Sequence, residues 1–490
     1  MKLVVRRNGQ ADEVGVGPID AETPVGALAT SLGLAAAPGI VVDGVAFAAT
    51  VTVEQAAVVE GSLIEPLDEG RVDDEPGEVL VELHQVGGLA AGGLLRLTAG
   101  RYDIGVAGPV RAPLTSGEVV APLVRLVVTH DGALELHADA AAGAVIDGAP
   151  FAGRAVVTDE MIELGGVVFR ATPAMDRRRQ VAARTADGKV TLARPNRPRP
   201  PDVTDDAPAP PVTDGAVPTD DRQLATYLAE AGRRLARGWR GALGAARSAH
   251  PDVAELRARA TVLAPSLWER RPGDHDHLVL SVGFGSQRWQ PPSVGSTLAP
   301  ELAVLLQAAR DLPAVPVPVD LRDGAVGIAG PRSAALAVAR WLVVQVATLH
   351  GPDDVRISVG ADAVRADDWE WVTWLPHLSA PDDPAPSGID HVSVVDVADA
   401  SRRVAEPAPG HLLIVISETL DGLPAACSTL VSVGSEGTVV VHDRIPTRRD
   451  EGVAVGLSEP TARDVARQLA ALRVDGGDER VQALTGTQID

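Results

Sequence analysis

A proline-rich stretch near the middle of the chain constrains its fold more than any other feature. Residues 174–221 open around three consecutive arginines, continue as RPNRPRPP from Arg194, and end in an acidic run at Asp221. Dense proline and low hydrophobicity favour an extended spacer over a packed core. All seven tryptophans lie between Trp239 and Trp374. The sequence therefore predicts two unlike halves joined by a linker.

Composition excludes several classes of protein. The 490 residues carry 44 Lys and Arg against 66 Asp and Glu, a net charge of -22, which repels nucleic-acid phosphate. Cys427 is the only cysteine, so we expect no disulfide and no cysteine-based zinc site. The most apolar segment, 334–349, is short for a membrane span and contains Arg340 and Gln345. The N-terminus lacks the apolar stretch of a signal peptide. We therefore predict a cytoplasmic protein with no direct membrane span and no nucleic-acid partner.

Residues 1–72 predict a small α+β domain. A short strand candidate, LVVRR, is followed by a helix start at Thr23-Pro24, where Thr23 suits the N-cap and Pro24 the first helical position. Two apolar runs then flank Asp43-Gly44, a pair typical of a hairpin turn. This order resembles a ubiquitin-like β-grasp, with another small α+β domain as the alternative.

Residues 78–173 predict an all-β sandwich, because short apolar runs alternate with turn signals throughout. Their order resembles a forkhead-associated (FHA) domain. Such domains bind phosphothreonine through Arg and Ser donors to the phosphate and an Asn on the peptide backbone. Val106, Ala121 and Ala142 stand at the corresponding positions, and none of these side chains can donate a hydrogen bond. We therefore predict an FHA-like fold with a degenerate phosphopeptide site.

Residues 222–270 predict a stalk-like helical hairpin, because leucines and alanines recur at helical spacing on both sides of a break at His250-Pro251-Asp252. Between residues 222 and 271, ten arginines outnumber four acidic residues. This basic block could contact an acidic surface, or it could be an ordinary solvated helix face.

Residues 275–480 alternate apolar strands with helices, the latter at 333–349 and 459–472. Continuous apolar strands between helices indicate a mainly parallel, doubly wound sheet. The chain as a whole is thus predicted to be multidomain, with β-grasp-like, FHA-like, helical and α/β parts in that order.

One loop of the α/β part lies where a phosphate-binding loop belongs, after a strand and at the start of a helix. It reads GIAGPRS at 327–333. Gly327 and Gly330 are followed by Pro331, which lacks a backbone N–H donor, and by Arg332 in place of the usual Lys before Ser333. We therefore predict a degenerate nucleotide loop, with weak nucleotide or anion binding as the alternative.

The strand expected to help hold Mg²⁺ also departs from a working site. HLLIVISE ends in Ser417-Glu418 rather than Asp-Glu, so an aspartate that would help hold the ion is missing. His275-Asp276-His277 has no third ligand nearby in sequence. We therefore predict no catalytic residue, no metal, and no ATP or Mg²⁺ cofactor.

Several motifs in one order resemble the N-terminal portion of the FtsK/SpoIIIE-type ATPases of type VII (ESX/Ess-like) secretion systems. The motifs are LWERRP at 267–272, GFG at 283–285, LPAVPV at 312–317, GIAGPR at 327–332, ATLH at 347–350 and DWEWVTWLPH at 368–377. The resemblance implies cytoplasmic β modules, a membrane-spanning helix pair, a helical stalk, a degenerate ATPase-like domain and then working motor domains. This chain departs from that pattern by showing neither the transmembrane pair nor the motor domains.

The last of these motifs is a candidate for partner docking. Trp369, Trp371, Trp374 and His377 could expose an aromatic surface or pack in the core. With catalytic motifs degenerate, we expect a protein that is not an enzyme. It would be an accessory or regulator acting through protein–protein interaction with a secretion ATPase or another secretion component. The alternatives are a truncated half of a membrane-coupled secretion ATPase and a weak nucleotide-binding switch.

Overall fold

The computed structural model describes most of the chain. The described residues are 1–34, 39–67, 78–105, 123–174, 184–192, 220–291, 300–360, 366–380, 388–400, 410–444 and 448–474. Within them, five sheets and the helices that connect them form the parts predicted from the sequence, but their packing differs from that prediction in several places.

The first domain is a five-stranded sheet with one helix. Its elements are β1 (Lys2–Arg7), β2 (Gln10–Gly15), α1 (Val25–Ser31), β3 (Gly39–Val42), β4 (Val45–Ala48) and β5 (Leu63–Pro66). The strand order is β2-β1-β5-β3-β4, with β5 parallel to β1. Asp43 and Gly44 both have positive φ at the β3–β4 turn, as a two-residue hairpin requires. The small α+β prediction agrees with this arrangement, although Pro24 rather than Thr23 is the helix N-cap.

The second domain packs two antiparallel sheets face to face. Its strands are β6 (Val81–Gln85), β7 (Gly88–Ala91), β8 (Leu94–Leu97), β9 (Gly100–Gly105), β10 (Leu123–Val128), β11 (Leu134–Ala138), β12 (Val145–Ile146), β13 (Ala149–Pro150), β14 (Gly153–Val157), β15 (Ile162–Leu164) and β16 (Val167–Pro173). One sheet has the order β14-β11-β10-β9 and the other β13-β12-β15-β16-β6-β8. Leu83, Leu126, Leu136 and Phe169 meet between them in one core.

Two helices follow, but they do not form the predicted hairpin. After β17 (Val190–Leu192) come α2 (Asp221–Ala249) and α3 (Val253–Val262). Asp252 caps α3 by accepting from the Glu255 amide at 3.0 Å, so the predicted break at 250–252 is confirmed. The correction concerns packing: α2 lies along the edge of the large sheet, whereas α3 packs against the two helices on that sheet's face. Different apolar partners separate the two helices.

The α/β part is built on a ten-stranded sheet. Its elements are β18 (Val279–Arg288), α4 (Pro300–Ala308), β19 (Asp311–Asp320), β20 (Ala325–Ala329), α5 (Arg332–Leu349), β21 (Val355–Gly360), β22 (Asp390–Asp396), β23 (His411–Ser417), β24 (Cys427–Val433), β25 (Thr438–Asp443), β26 (Arg448–Leu457), α6 (Glu459–Ala470) and β27 (Leu472–Val474). The order is β19-β18-β26-β25-β24-β20-β23-β22-β21, with β7 attached to β26.

The sheet is mixed rather than mainly parallel. Strands β24, β20, β23, β22 and β21 are parallel to one another, whereas the pairs β24–β25, β25–β26, β26–β18 and β18–β19 are antiparallel. The prediction of a mainly parallel sheet therefore holds for only one half. Two consecutive antiparallel pairs, β24–β25 and β25–β26, replace the expected strand–helix alternation and reverse the chain direction there.

Helix α5 forms the centre of the α/β core. Every residue from Ala334 to Leu349 is buried, including Arg340 and Gln345. Gln345 satisfies its amide by bonding the backbone of Ser281 on β18 in both directions, at 2.9 and 2.8 Å. Among the described residues, α5 is the one helix long and apolar enough to cross a membrane, and 89% of it is buried inside the protein.

The predicted separation into two halves is wrong in one respect, because the parts share a core and sheet edges. Val4, Val86, Met161 and Val190 belong to the same apolar cluster as α5 and α6. Strand β7 pairs in parallel with β26, and β17 pairs in parallel with β27. Part of the predicted 174–221 spacer is therefore a strand of the folded body, because its apolar Val190 is buried there.

Candidate functional site

The loop predicted to bind phosphate lies at the carboxyl edge of the parallel strands. Strand β20 sits between β23 and β24 and ends at Ala329, beside Ser417 and Ser432. Helix α5 starts at Arg332. In open α/β sheets, ligands bind outside the carboxyl ends of the strands, where connections diverge to either side. The chain after β20 leads to β21 on one side, while β24 lies on the other, so the loop is correctly placed for a ligand site.

Close packing accounts for both glycines of this loop. Gly330 has φ of 153°, and a Cβ there would come within 2.2 Å of the Val433 carbonyl oxygen. A Cβ on Gly327 would meet Leu423 at 2.7 Å. Both positions therefore exclude larger residues because of close neighbours, Val433 on β24 for Gly330 and Leu423 in the segment before β24 for Gly327.

The residues that open α5 are engaged within the protein. The carbonyl oxygen of Pro331 accepts from the amides of Ala334 and Ala335 at 2.9 and 3.0 Å. The Arg332 guanidinium forms an ion pair with Asp368. Arg340, which lies later on α5, has a guanidinium nitrogen 3.7 Å from the same carboxylate. Ser333 is exposed. Asp368 is the first residue of the DWEWVTWLPH motif at 368–377, but it was not predicted from the sequence to be a site residue.

The end of β23 forms a local turn. The Ser417 hydroxyl donates to the Thr419 carbonyl at 2.7 Å, and the Thr419 amide lies 3.2 Å from Ser417 Oγ. Glu418 is exposed. In the parts of the chain that are described, no three His, Cys, Asp or Glu side chains cluster to hold a metal ion. The predictions about ATP and Mg²⁺ remain predictions.

The crevice at this edge is nearly filled. A cavity of about 20 Å³ is lined by residues that include Arg332, Leu336, Val359, Trp369, Val394 and Asp396. Pockets for small organic ligands are on the order of 300–1,000 Å³. Because Trp369 and its neighbours occupy the crevice, the space left accommodates a group no larger than a few atoms.

The prediction that the tryptophan motif exposes an aromatic docking surface is wrong. Trp369, Trp371, Trp374 and His377 are 6%, 0%, 4% and 0% exposed, so they do not form a surface. The first three belong to a 3-10 helix, Ala366–Trp374, here called the tryptophan helix. His377 packs edge-on against Trp268 with ring centres 6.0 Å apart. Moving large apolar rings from water into this core lowers the free energy of the folded protein, which explains their burial.

Trp374 also joins the α/β part to the first domain. Its indole N–H donates to Glu13 at 3.1 Å, and the Lys2 ammonium lies 4.2 Å from its ring centre. This cation–π contact and hydrogen bond connect β1 and β2 with the tryptophan helix.

The candidate phosphopeptide site is described only in part. Ala142 lies in a 3-10 helix, Ala140–Ala142, with its side chain buried. Val106 and Ala121 lie outside the described residues. The prediction of a degenerate site therefore stays a prediction.

No family model matches this chain, but curated proteins do. The ESX secretion system protein EccC of Thermomonospora curvata is 32% identical over 213 residues, which cover 37% of this chain and 15% of that protein. The chain thus spans a small part of the length of this relative.

Solved structures align more weakly. The cytoplasmic domain of the Thermomonospora curvata type VII secretion ATPase EccC aligns at 15% identity and a TM-score of 0.30, covering 42% of this chain and 32% of that one. The FHA domain of the CT664 protein from Chlamydia trachomatis aligns at 14% identity and a TM-score of 0.17, covering 20% and 99%.

These relatives overturn one prediction and confirm another. We expected a protein that is not an enzyme, but the matched relative is EccC, and EccC is named a type VII secretion ATPase. The non-enzyme prediction is therefore wrong. The resemblance drawn from the sequence motifs is confirmed: this chain is related to the EccC ATPases of type VII secretion systems.

Proposed function

We propose that the chain is a component of a type VII secretion system that acts through contacts with other proteins of that system, in the cytoplasm and beside an EccC-type ATPase. The observation that carries this proposal is the 32% identity to EccC over 213 residues. The FHA-like and first domains, packed on the α/β part, present a broad composite surface for such contacts.

One part of that surface has a distinctive charge. Helix α2 exposes Arg222, Arg233, Arg237 and Arg240, here called the arginine face, in a protein whose net charge is -22. Exposed like charges on one helix attract a surface of opposite sign and speed its association. The arginine face therefore fits an acidic surface on a partner protein.

Binding to the EccC-type ATPase encoded by the same genome tests this proposal. The full chain should bind it in biolayer interferometry, with an affinity that falls as salt rises. Changing Arg233, Arg237 and Arg240 to Glu should weaken binding roughly tenfold or more, since each reversal replaces attraction by repulsion. The control is Arg449→Glu, an arginine on β26 that is also exposed. No binding by the unaltered chain, or equal loss in the control, would contradict the proposal.

A second candidate function is nucleotide binding or hydrolysis at residues 330–333, favoured by the name of the relatives and by the position of the loop. Calorimetric titration with ATP and Mg²⁺, and phosphate release on incubation, measure it directly. Heat that disappears in Arg332→Ala would support it. If the unaltered chain gives no heat of binding and releases no phosphate, this candidate function is contradicted.

A further inference from the structure

Helix α4 turns an apolar side towards solvent. Val304 is 69% exposed and Leu305 is 42% exposed, whereas Leu302 is the one buried residue of this helix. Val304 and Leu305 are here called the apolar pair. A Cβ on Gly232 of α2 would lie 3.7 Å from Leu305 Cδ1, and Gly232 directly precedes Arg233. The apolar pair therefore lies where α4 meets α2, next to the arginine face.

Charge is segregated between α2 and the first domain. Residues 231–249 of α2 contain five Arg and no Asp or Glu. Residues 8–67 of the first domain contain eight Asp and Glu and no Lys, Arg or His. Surfaces of opposite charge attract one another and orient two molecules before they touch. The first domain therefore carries the charge that the arginine face attracts.

The first domain also has an apolar cleft, here called the first-domain cleft. It is a cavity of about 560 Å³ that two polar residues of α3 and α6 close on one side. Asp43 is the one charged residue that lines it, and an Arg467 guanidinium nitrogen lies 3.8 Å from Asp43 Oδ1. Cavities of roughly 300–1,000 Å³ hold small organic ligands, so two aliphatic side chains fit. The apolar lining includes Val45, Ala46, Phe47 and Val51.

The apolar pair does not fill the first-domain cleft of its own chain. Val304 and Leu305 are exposed in the folded chain and do not line the cleft. Helix α2, which carries α4, packs mainly on β19 and α4, whereas the cleft lies against α3 and α6. Arg247 holds α2 in place by donating to the Ala314 carbonyl at 3.2 Å and by its ion pair with Asp147 at 2.6 Å. The cleft within reach of the apolar pair is therefore that of another molecule.

We propose that the apolar pair of one molecule docks in the first-domain cleft of a second copy of this chain, with the arginine face against the acidic first domain. The proposal rests on the arginine face of the proposed function and gives that face a second partner. Self-association and binding of a secretion partner then compete for the arginine face. Because the two docking surfaces differ, a dimer keeps one free cleft and one free apolar pair. Such a head-to-tail contact continues into a ring or an open chain of subunits.

Sedimentation velocity of the full chain tests the contact. At low salt the average mass should rise with protein concentration, and added salt should lower it. Val304→Gln combined with Leu305→Gln should weaken association roughly tenfold or more, because the apolar side chains that leave water on docking are lost. Val156→Gln is the matched control, since Val156 is a 57% exposed apolar residue on β14. An unaltered chain that stays monomeric at every concentration at low salt would overturn the proposal.

A substitution in the first-domain cleft tests the other side of the contact. Ala46 lines the cleft and is exposed on β4, so Ala46→Arg should fill the cleft and repel the arginine face, again weakening association roughly tenfold or more. Ala48→Arg is the control, because Ala48 is exposed on the same strand but does not line the cleft. If Ala46→Arg does not fold, Gln55→Arg replaces it, since Gln55 is an exposed residue of the cleft. Undiminished association of the cleft variant would show that the apolar pair docks elsewhere and would refute the proposal.

Mixing the two deficient variants tests the head-to-tail arrangement. The apolar-pair variant keeps its cleft and the Ala46→Arg variant keeps its apolar pair, so an equimolar mixture should give a dimer and nothing larger. A mixture that stays monomeric contradicts the arrangement. Biolayer interferometry with the EccC-type ATPase separates this proposal from the proposed function. ATPase binding without self-association counts against the docking of a second copy alone, whereas self-association without ATPase binding counts against the proposed function alone.

Discussion

At the scale of single residues, two histidines, His350 and His250, are held neutral at pH 7 because desolvation lowers their pKa. The Leu278 amide donates to His350 Nε2 at 3.1 Å, and His350 Nδ1 lies 3.1 Å from the Val346 carbonyl oxygen. This pairing places the proton on Nδ1 and leaves the ring uncharged. Burial, with the charges of His277 and Arg270, lowers the pKa of His350 well below its usual value. His250, nearby, has its pKa lowered to about 4 by burial and by Arg270.

These shifts predict that stability falls in acid. His250 takes up a proton near pH 6.5 when unfolded but only near pH 4 when folded, so its contribution is complete above pH 6.5 and is lost as the pH falls towards 4. The loss amounts to about 1.4 kcal/mol per pH unit for each such histidine. Urea unfolding between pH 7.5 and 4.5 measures it. His250→Asn should flatten part of the slope, whereas exposed His130→Asn should leave it unchanged. Parallel slopes for all three proteins would refute this assignment.

The loop at 327–333 shows how far single residues could be interpreted from sequence. Its place between a strand and a helix was predictable, because glycines and an apolar strand mark such a junction locally. Its Arg332–Asp368 pair was not, because the partners are brought together by the packing of the tryptophan helix on α6, which places Asp368 beside Arg332. An aspartate before a tryptophan carries no local signal of that contact.

At the scale of elements, the tryptophan helix has a structural role. It packs against α6 and fills the crevice above the parallel strands. Trp369 and Trp371 lie with ring centres 6.0 Å apart. Their spacing in sequence was compatible with either a surface or a core, because no helical or strand period distinguishes one face of a short 3-10 helix. Only the packing decided in favour of the core.

Trp371→Ala should therefore be among the more destabilising single substitutions in this chain. Removing a fully buried ring leaves a cavity and typically costs about 3–5 kcal/mol. Thr373→Ala, two residues away on the same helix and exposed, is the control and should cost less than about 1 kcal/mol. Urea unfolding followed by circular dichroism gives both values. Similar urea midpoints for the two variants would show that the Trp371 ring contributes little to stability.

At the scale of the whole molecule, the first domain is hydrogen-bonded to α6, the last helix among the described residues. Arg467 on α6 is 5% exposed and donates to the Gly61 carbonyl at 2.5 Å. Gly61 has φ of 85°, and a Cβ there would come within 2.3 Å of the Arg467 carbonyl oxygen. Lys189 donates to the Ala470 carbonyl at 2.9 Å. These contacts join parts of the chain that are hundreds of residues apart.

Arg467→Ala should loosen the first domain without unfolding the α/β part. It leaves the buried Gly61 carbonyl without its donor, at a cost of about 1–3 kcal/mol. Amide hydrogen exchange should then quicken in β1 and β5, where that interface begins, more than in β20 or β23. Arg463→Ala is the control, since this arginine lies on the same helix but pairs with Glu459 and Glu370 at the surface. Uniform acceleration throughout the chain would contradict a local role.

The sequence by itself determined the elements, their order and the relationship to EccC. Strands, helices and turns follow from local hydrophobic periodicity and from turn and cap residues, and the relationship follows from motifs that occur in one order. Only the tertiary structure shows that the sheet is mixed, that Trp371 is buried, that α2 and α3 pack on different partners, and that β17 pairs with β27. Each of these depends on which distant apolar surfaces meet and which buried polar groups find partners. That choice is set by the folded whole, where Val190 or Asp368 has neighbours that no window of sequence contains.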